Sequence, residues 1–491
     1  MLLPPPLEPS LPADVCQRAV RARDPRFDGV FFVGITTTRV YCRPVCPARV
    51  TYPDRRRFFS SAAAAERAGY RPCLRCRPEL APGRAICDAV SRLAQAAAHR
   101  IGAGALNGSS VAELAKDLGV SERHLRRCLE RELGVSPIEL AQTHRLLLAK
   151  RLLADTDLPV TRIAFASGFQ SLRRFNALFR ERYRIPPSAV RKAGRPLRTG
   201  EMSRSDRLRL TLAYRPPLHW TALVVELRRD AIAGVELVDG RSYARTVRLQ
   251  ERAGVLVATD AGEGHIDLEV SASLVPSLMP LLARVRHLFD LDAEPSVIDA
   301  HLAQDGLRSL VRQRPGLRIP GAVDGFEIAL ATLARGRVGW RSELPDPAEQ
   351  IVQGLGDRLE TGEPTLNRLS PTAERVVAAG SAQLIALGVP PRRARAIEEV
   401  GRLVLKGELR LEPGCDAPAI HRRLMQIEGV GDRLATHIVR RALYWPDAFS
   451  PEDPALQAAA GVSTSVALVA RAEPWRPWRA YAVMHLRGPH E

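Results

Sequence analysis

Two short cysteine-bearing stretches decide the fold of the N-terminal part of this chain, namely YCRPVC (41–46) and RPCLRCRP (71–78). The first holds Cys42 and Cys46, and the second, after 26 intervening residues, holds Cys73 and Cys76. Zinc in proteins is commonly held by four thiolates in a tetrahedron. Two close pairs of cysteines joined by a loop therefore predict one Zn²⁺ site with these four ligands. Spacing alone favours a closed, purely structural zinc ribbon over a reactive site.

The segment around the cysteines, residues 13–82, is predicted to form a small zinc-binding α/β module. The stretches FFVGI (31–35) and RVY (39–41) have the composition of two short strands joined by a threonine-rich turn. The alanine-rich run 60–68 predicts a helix, because Ser60 or Ser61 can cap its start and Gly69 can end it.

The same region resembles the N-terminal domain of the Ada family of adaptive-response methyltransferases. The resemblance covers about residues 14–80 and includes DPRFDG (24–29) and TTT (36–38) as well as the two cysteine pairs. In that family the first cysteine of the first pair accepts a methyl group from a methylphosphotriester in DNA, which implies that Cys42 is the acceptor here. Matching positions imply three DNA contacts, at Thr38, Arg49 and Arg71. Pro47 departs from the basic residue that the family often has after the second cysteine.

Net charge is confined to the first part of the chain. Of 491 residues, those at 1–200 include 35 Lys and Arg against 17 Asp and Glu, whereas those at 201–491 include 37 against 37. A localised positive excess favours contact with nucleic-acid phosphates. General solubility, or the arginine usage of a GC-rich genome, is the alternative explanation.

Cellular location is predicted from what the sequence lacks. No apolar run approaches the roughly 18–20 residues that a membrane helix needs. The start, MLLPPP, has no basic region and its prolines interrupt any apolar segment. We therefore expect a cytoplasmic protein without a membrane partner. The remaining cysteines (Cys16, Cys87, Cys128 and Cys415) are isolated, and no role is expected for them.

Residues 88–192 carry two similar helical units, 49 residues apart, which predict an all-α double helix-turn-helix region. The first runs from VAELA (111–115) through Gly119 to a helix capped by Ser121, and the second runs from VTRIA (160–164) through Gly168 to a helix capped by Ser171. The second unit, IAFASGFQSLRRF (163–175), resembles the AraC-type regulators, which place two such units in successive major grooves.

Apolar spacing predicts that Leu125, Leu129, Phe175 and Phe179 form the core of these units. Other side chains of the second helices are expected to reach bases or phosphates, although each could equally be a solvated surface residue. These candidates are Arg123, His124, Arg126, Arg127, Arg173, Arg174 and Asn176.

The second half begins after a polar, Gly/Pro/Ser-containing segment at 193–206 that suits a linker. Alternating residues at 208–212 and 266–270 predict strands, and 275–289 predicts an amphipathic helix, so that strands and one helix are expected from 207 to about 300. The stretch 207–320 should form a small α+β domain. From 321 to 491 the pattern is helical.

The helical region contains LMQIEGVG (424–431), which predicts a helix, a tight glycine hairpin and a second helix from Asp432. Gly429 and Gly431 would expose backbone N–H groups at a helix N-terminus, which suits a DNA phosphate. Asp453 lies 22 residues beyond Gly431.

This arrangement resembles the helix-hairpin-helix DNA glycosylases, specifically 3-methyladenine DNA glycosylase II, over about 207–491. Such enzymes flip a damaged base and cleave its glycosidic bond. The resemblance implies that Asp453 stabilises the oxocarbenium-like sugar and assists the attack of water. A helix cap is the alternative role for Asp453.

Several positions depart from the glycosylase pattern. Arg433, Pro454 and Arg487 stand where relatives carry aromatic residues, and Arg337 stands where relatives insert an apolar wedge into DNA. Because aromatic surfaces stack on electron-poor alkylated bases, these changes point to an altered base preference, weak activity or a domain retained for DNA binding.

The sequence therefore predicts a multidomain α+β protein with modules at 13–82, 88–192, 207–320 and 321–491. It is expected to take methyl groups onto Cys42, to activate alkylation-response genes with RNA polymerase as a partner, and to excise alkylated bases such as 3-methyladenine at Asp453. No PCHR stretch occurs, so the guanine-O6 methyl acceptor of full-length Ada proteins is missing. The alternative is a zinc-stabilised AraC-type transcription factor whose glycosylase-like half is inert.

Overall fold

The computed structural model describes residues 11–48, 52–83, 92–193, 207–262, 264–304, 306–336 and 345–488. The chain forms two compact units. The first comprises Met1–Pro216, Gly262–Ala283 and Leu291–Ala293, and the second comprises Pro217–Ala261, Arg284–Asp290 and Glu294–Glu491. The cysteine module and the helix-turn-helix region both belong to the first unit. The boundaries of the individual modules stay predictions.

The N-terminal module is a small sheet covered by helices. Its elements are α1 (Ala13–Ala22), β1 (Phe32–Ile35), β2 (Val40–Cys42), β3 (Arg56–Phe59), α2 (Ala62–Arg67) and β4 (Arg71–Pro72). The strand order is β3-β1-β2-β4, antiparallel except for the parallel pair β2 and β4. The predicted strands and helix are confirmed, and the Ser61 hydroxyl accepts the N–H of Ala64 at 3.0 Å to cap α2.

Aromatic packing closes this module around its sheet. Phe32, Tyr41, Phe59 and Tyr70 are buried with the alanines of α2. The ring of Phe32 meets that of Tyr41 edge-on, and Phe59 meets Tyr70 in the same way. Such contacts add to the apolar burial that holds a small module together. Gly34 has no room for a side chain, because a Cβ there would lie 2.5 Å from the ring of Phe59.

The helix-turn-helix region is entirely helical within its described residues. It contains α3 (Arg92–Gly102), α4 (Val111–Asp117), α5 (Glu122–Leu133), α6 (Pro137–Asp155), α7 (Val160–Ala166), α8 (Leu172–Tyr183) and α9 (Pro187–Ala193). Both predicted units are confirmed: α4–α5 and α7–α8 are each joined by a turn with a left-handed glycine, Gly119 and Gly168. The Ser121 and Ser171 hydroxyls cap α5 and α8, as predicted.

The segment predicted to be a linker, 193–206, lies outside the described residues except for Ala193, which ends α9. The following elements are β5 (Arg207–Ala213), α10 (Trp220–Asp230), β6 (Glu236–Val238), β7 (Ser242–Leu249), β8 (Arg252–Gly262), β9 (His265–Ser271) and α11 (Leu278–Leu288). In the first unit β5 pairs antiparallel with β9, and in the second β7 pairs antiparallel with β6 and with β8. The prediction of one helix from 207 to about 300 was wrong, since α10 and the start of a further helix, Pro295–Gln304, also lie there.

The remainder of the second unit is helical. Its helices are α12 (Pro295–Gln304), α13 (Arg308–Gln313), α14 (Gly325–Arg335), α15 (Pro347–Leu355), α16 (Ala373–Ala386), α17 (Pro391–Leu405), α18 (Ala417–Met425), α19 (Asp432–Leu443), α20 (Pro454–Ala459), α21 (Ser465–Ala472) and α22 (Arg479–Leu486). The inner faces of α14 to α19 share one apolar core, in which α14, α17 and α19 are central. Over the described residues, no helix combines the length and apolarity needed to cross a membrane.

Candidate metal centre and nucleic-acid interface

The four clustered cysteines converge because of the strand register. Tyr41 in β2 lies opposite Pro72 in the parallel strand β4, so that Cys42 and Cys73 follow at the same end of the two strands. The N–H of Cys73 donates to the Tyr41 carbonyl at 2.9 Å and fixes this register.

The geometry and chemistry of the cluster fit zinc. The Sγ atoms of Cys42, Cys46, Cys73 and Cys76 all lie within 4.8 Å of one another. A regular tetrahedron with Zn–S bonds of about 2.3 Å has sulfur–sulfur edges of about 3.8 Å. All four donors are thiols, the ligands that closed zinc sites prefer.

Backbone donors and one buried ion pair hold the cluster in place. The N–H of Arg43 donates to Sγ of Cys76 at 3.4 Å, and the N–H of Arg75 donates to Sγ of Cys73 at 3.3 Å. The Arg43 guanidinium donates from Nε to Oδ1 of Asp28 at 2.8 Å and from Nη1 to the carbonyl of Cys76 at 3.3 Å. Cys42 and Cys46 are half-buried, whereas Cys73 and Cys76 are buried.

The predicted DNA contacts of this module are only partly described. Thr38 is exposed in the turn between β1 and β2, and Arg71 is half-buried in β4. Arg49 lies outside the described residues. Their contact with DNA stays a prediction.

The residues predicted from the helix-turn-helix units divide as expected between core and surface. Leu125, Leu129, Phe175 and Phe179 are fully buried. The DNA candidates are partly or fully exposed: Arg123, His124, Arg127, Arg173 and Arg174 are exposed, and Arg126 and Asn176 are half-buried. Within α5, Nε of Arg126 donates to Glu122 at 2.9 Å, so this guanidinium is partly committed inside the helix.

A buried ion network joins the cysteine module to α6, which sequence reasoning did not predict. Nζ of Lys150 lies 2.5 Å from Oε2 of Glu79, and the two side chains are only 2% and 1% exposed. The same ammonium donates to the carbonyl of the zinc ligand Cys73 at 3.4 Å. Arg77 bridges Glu79 and Asp155, donating to the latter at 2.7 Å. Helix α6 is thus bonded directly to the backbone of the metal centre.

In the second unit the predicted hairpin is confirmed between α18 and α19. Gly429 has φ +92°, and a Cβ there would lie 3.0 Å from the Arg392 carbonyl oxygen, so the tight turn requires glycine. Gly431 is the N-cap residue of α19, which begins at Asp432. The hairpin therefore presents the free N–H groups of a twelve-residue helix, as a phosphate contact requires.

Asp453 occupies a buried position at the start of α20. Its Oδ1 accepts the N–H groups of Ala455 at 3.1 Å and Leu456 at 3.4 Å, which is an N-cap. Its Oδ2 accepts a hydrogen bond from Nη2 of Arg487 at 2.8 Å, and Nη2 of Arg433 lies 3.9 Å from Oδ1. The two arginines that replace family aromatics therefore lie against the carboxylate that the resemblance makes catalytic. Arg337, at the predicted wedge, lies outside the described residues.

Next to Asp453 is a buried polar group built on α19. Nη2 of Arg440 and Nδ1 of His437 are 3.1 Å apart, and Nε2 of His437 lies 3.4 Å from Oδ2 of Asp230. Burial lowers the pKa of His437 to about 4, and burial together with the neighbouring guanidiniums of Arg487 and Arg441 lowers the pKa of Arg440 to about 10. At neutral pH His437 is therefore uncharged while Arg440 keeps its charge.

Three families match successive parts of the chain. These are "Metal binding domain of Ada" over residues 15–79, "Helix-turn-helix domain" over 114–193 and "AlkA N-terminal domain" over 209–324. The "Probable bifunctional transcriptional activator/DNA repair enzyme AlkA" of Mycobacterium tuberculosis is 34% identical over 476 residues, which is 96% of this chain and 95% of that protein.

The chain belongs to the fused Ada–AlkA family.

Two shorter relatives match one half of this Ada–AlkA protein each. The "DNA-3-methyladenine glycosylase 2" of Escherichia coli is 30% identical over 277 residues, covering 56% of this chain and 95% of that protein. The "Bifunctional transcriptional activator/DNA repair enzyme Ada" of Escherichia coli is 32% identical over 157 residues, covering 31% of this chain and 41% of that protein. Together with the converging thiols, the match to the Ada metal-binding domain makes the cluster a four-cysteine zinc site.

Proposed function

We propose that this Ada–AlkA protein is a methylation-responsive transcriptional activator that also repairs alkylated DNA. The observation that carries the proposal is the four-thiol cluster that contains Cys42, in the same compact unit as two helix-turn-helix units. When bound, zinc keeps thiols deprotonated at neutral pH, and the thiolate is the nucleophile.

Cys42 is the proposed methyl acceptor. Its sulfur attacks the methyl carbon of a methylphosphotriester and forms an S–C bond. The methyl C–O bond breaks, and its electron pair remains on the phosphate oxygen, which becomes an anion. Cys42 ends as a thioether, so that each protein molecule accepts one methyl group. Because the methylated phosphate is neutral, the negatively charged thiolate cluster does not repel it.

Mass spectrometry tests the methyl transfer. The full chain is incubated with duplex DNA bearing methylphosphotriesters and then digested. We expect the peptide containing Cys42 to gain the mass of one methylene unit, while the peptide containing the buried Cys128 serves as the internal control. An unchanged Cys42 peptide on a zinc-loaded protein would contradict the proposal and favour the purely structural zinc site.

Operator binding is proposed to use both helix-turn-helix units. Exposed arginines on α5 and α8, together with Thr38, Arg49 and Arg71 of the metal module, would contact an operator. Methylation removes one negative charge at Cys42 and should therefore strengthen operator binding. The protein bound at the promoter would then recruit RNA polymerase.

Base excision at Asp453 is a second proposed activity, supported by the hairpin at Gly429 and Gly431 and by the buried carboxylate that follows it. Asp453 would stabilise positive charge at the sugar C1′ and orient the attacking water. The test is release of alkylated bases, 3-methyladenine among them, from duplex DNA by the wild type but not by Asp453→Asn, which keeps an acceptor for the helix cap. Equal release by both proteins would exclude Asp453 from the reaction.

A further inference from the structure

Positive charge dominates the small cavity beside Asp453. The residues that line it include three guanidiniums, those of Arg433, Arg440 and Arg487, and Asp453 is the one carboxylate among them. His437 also lines the cavity but is uncharged at neutral pH, because burial lowers its pKa to about 4. Arg487 donates to Oδ2 of Asp453. Because three guanidiniums face one carboxylate, the lining of the cavity carries a net positive charge.

The cavity beside Asp453 is too small for a flipped base in this arrangement of side chains. The cavity has a volume of about 30 Å³, comparable to one water molecule and far smaller than a nucleobase. Arg487 and Arg433 are the movable walls, with side chains 21% and 45% exposed. Arg440 is only 6% exposed and is held by His437 and Met484. A base that reaches Asp453 must therefore displace Arg433 and Arg487 while remaining in contact with guanidiniums.

Guanidiniums in a poorly solvated pocket distinguish bases by charge. An N-alkylated purine such as 7-methylguanine carries a positive charge in DNA, and like charges repel more strongly where water is excluded. A neutral base is not repelled, and its ring nitrogens or carbonyl oxygens can accept hydrogen bonds from arginine. Arg440 offers such a donor, since its Nε has no hydrogen-bond partner in the part of the chain that the structure describes.

Resting on base excision as the proposed function and narrowing its substrates, we propose that this pocket selects neutral modified bases and disfavours cationic N-alkylpurines, to which 3-methyladenine also belongs. Arg487 is the principal specificity-determining residue, because its guanidinium is bonded to Asp453 and is the less exposed of the two movable arginines. Arg433 contributes less, since it lies 3.9 Å from the carboxylate and is nearly half-exposed.

The hydrolysis of a neutral base explains why arginines would be useful here. The C1′–N bond breaks and its electron pair goes to the base nitrogen, so a neutral base leaves as an anion. Water forms the new C1′–O bond and gives up a proton to solvent, and the departing base takes up a proton from solvent. A guanidinium stabilises the leaving anion, while Asp453 stabilises the positive charge at C1′. A cationic base leaves uncharged and gains nothing from arginine.

The charge preference is tested by equilibrium binding to two DNA duplexes that differ only in the charge of one base. One duplex holds 7-methylguanine on a 2′-fluoro sugar that resists cleavage, and the other holds the neutral isostere 7-methyl-7-deazaguanine on the same sugar. We expect the full-length wild type to bind the neutral duplex more tightly, by a factor on the order of ten. Equal binding, or tighter binding of the cationic duplex, would overturn the proposal.

Variants assign the preference to the pocket. Arg487→Met should reduce or reverse the preference and Arg487→Lys should retain it, because only the first removes the charge. Arg471→Met is the matched control, since Arg471 is exposed on α21 and does not line the cavity. The assignment to Arg487 would be contradicted if Arg487→Met kept the preference for the neutral duplex, or if Arg471→Met abolished it to the same extent. Near-ultraviolet circular dichroism checks that each variant is folded.

A second assay separates base excision at Asp453 from the charge preference of the pocket. It measures the excision of cationic 7-methylguanine and of the neutral base 1,N6-ethenoadenine by the wild type and by Asp453→Asn. Absence of any Asp453-dependent excision would contradict base excision itself, and the binding comparison would still decide the charge preference. Asp453-dependent excision with the cationic base released faster, relative to its spontaneous loss, would leave base excision standing and overturn the inference.

Discussion

At the residue scale, the geometry of Asp453 is compatible with a structural role and the proposed catalytic role together. Its Oδ1 caps α20 while its Oδ2 faces Arg487, so the two oxygens have different partners. Sequence reasoning treated the cap and the catalytic role as alternatives. The geometry makes them compatible, because a cap fixes the carboxylate in one orientation beside the cavity.

Substitutions at Asp453 should separate these two contributions. Asn caps helices about as well as Asp, so Asp453→Asn should change the free energy of unfolding by less than about 0.5 kcal/mol from the cap. Asp453→Ala removes the cap acceptor and should cost about 1–2 kcal/mol. Urea unfolding followed by tryptophan fluorescence measures both, since all five tryptophans lie beyond residue 216. Equal destabilisation by the two variants would show that the ion pair with Arg487, and not the cap, supplies the stability.

Asp290 should make the stability of the second unit depend on pH. Burial raises the pKa of this carboxyl to about 6, although Arg318 and the hydroxyls of Tyr444 and Tyr481 act in the opposite direction. Because the folded-state pKa lies above the unfolded value, the stabilising contribution is complete below about pH 4 and is lost as the pH rises through about 6. The full change is about 3 kcal/mol.

The measurement is the difference in unfolding free energy between wild type and Asp290→Asn at about pH 4 and about pH 7, which cancels the other titrating groups. Wild type should be favoured more at the lower pH. A difference that is independent of pH, or that grows with rising pH, would contradict the raised pKa.

The pairing of Asp453 with Arg487 was not predictable from the sequence. The two residues are 34 positions apart, directly before α20 and directly after α22, and long charged side chains leave no periodic pattern that identifies their partners. The departures from the family aromatics were visible at Arg433 and Arg487, and they were the signal that this carboxylate has unusual neighbours. The zinc ligands were predictable because metal geometry restricts cysteine spacing directly.

At the scale of elements, the predictions were accurate where chemical start and stop signals are strong. Helices α5 and α8 begin after Ser121 and Ser171, whose hydroxyls accept the N–H groups of His124 and Arg174. Helix α10 was missed because its start lacks such a residue: Nδ1 of His219 accepts the N–H of Ala222 instead. Histidine is a rare cap, so this start is visible only in the folded chain.

The ion network between α6 and the metal module should be essential to the first unit. Lys150→Met leaves Glu79 buried with only Arg77 as partner, and breaking a buried pair costs about 3–5 kcal/mol. The double variant Lys150→Met/Glu79→Gln should recover part of this loss, because no uncompensated charge remains. Thermal unfolding by far-ultraviolet circular dichroism, with zinc content measured alongside, detects the effect.

Two internal controls belong to that experiment. Tryptophan fluorescence reports only on the second unit and should not change in Lys150→Met. Arg131→Met removes an exposed ion pair with Glu132 and should leave the unfolding temperature unchanged. If Lys150→Met unfolds like the wild type, the network does not couple α6 to the metal module.

At the scale of the whole molecule, the uneven distribution of net charge matches two kinds of proposed DNA contact, operator binding in the first part of the chain and base excision in the second. The first 200 residues hold the entire positive excess of +18, which suits tight, salt-sensitive binding to an operator. The neutral remainder holds the hairpin and Asp453, and an enzyme that must release its product has less use for strong phosphate binding. The sequence alone predicted this division, because net charge needs no knowledge of the fold.

Methylation of Cys42 should act on the charged part of the chain as a switch. It removes one negative charge from a surface that faces DNA phosphates, and at ~4 Å with an effective dielectric constant near 20 one charge is worth at most about 4 kcal/mol before screening. Even a third of that would tighten operator binding about tenfold. Because salt screens the interaction, the tightening should shrink as the salt concentration rises from about 0.05 M to about 0.3 M.

Fluorescence anisotropy measures the operator affinity before and after incubation with methylphosphotriester DNA. Repeating it at each salt concentration gives the tightening and its salt dependence. The Cys42→Ala variant, treated identically, should show no tightening, and equal affinity of the methylated and unmethylated wild type would contradict the electrostatic switch.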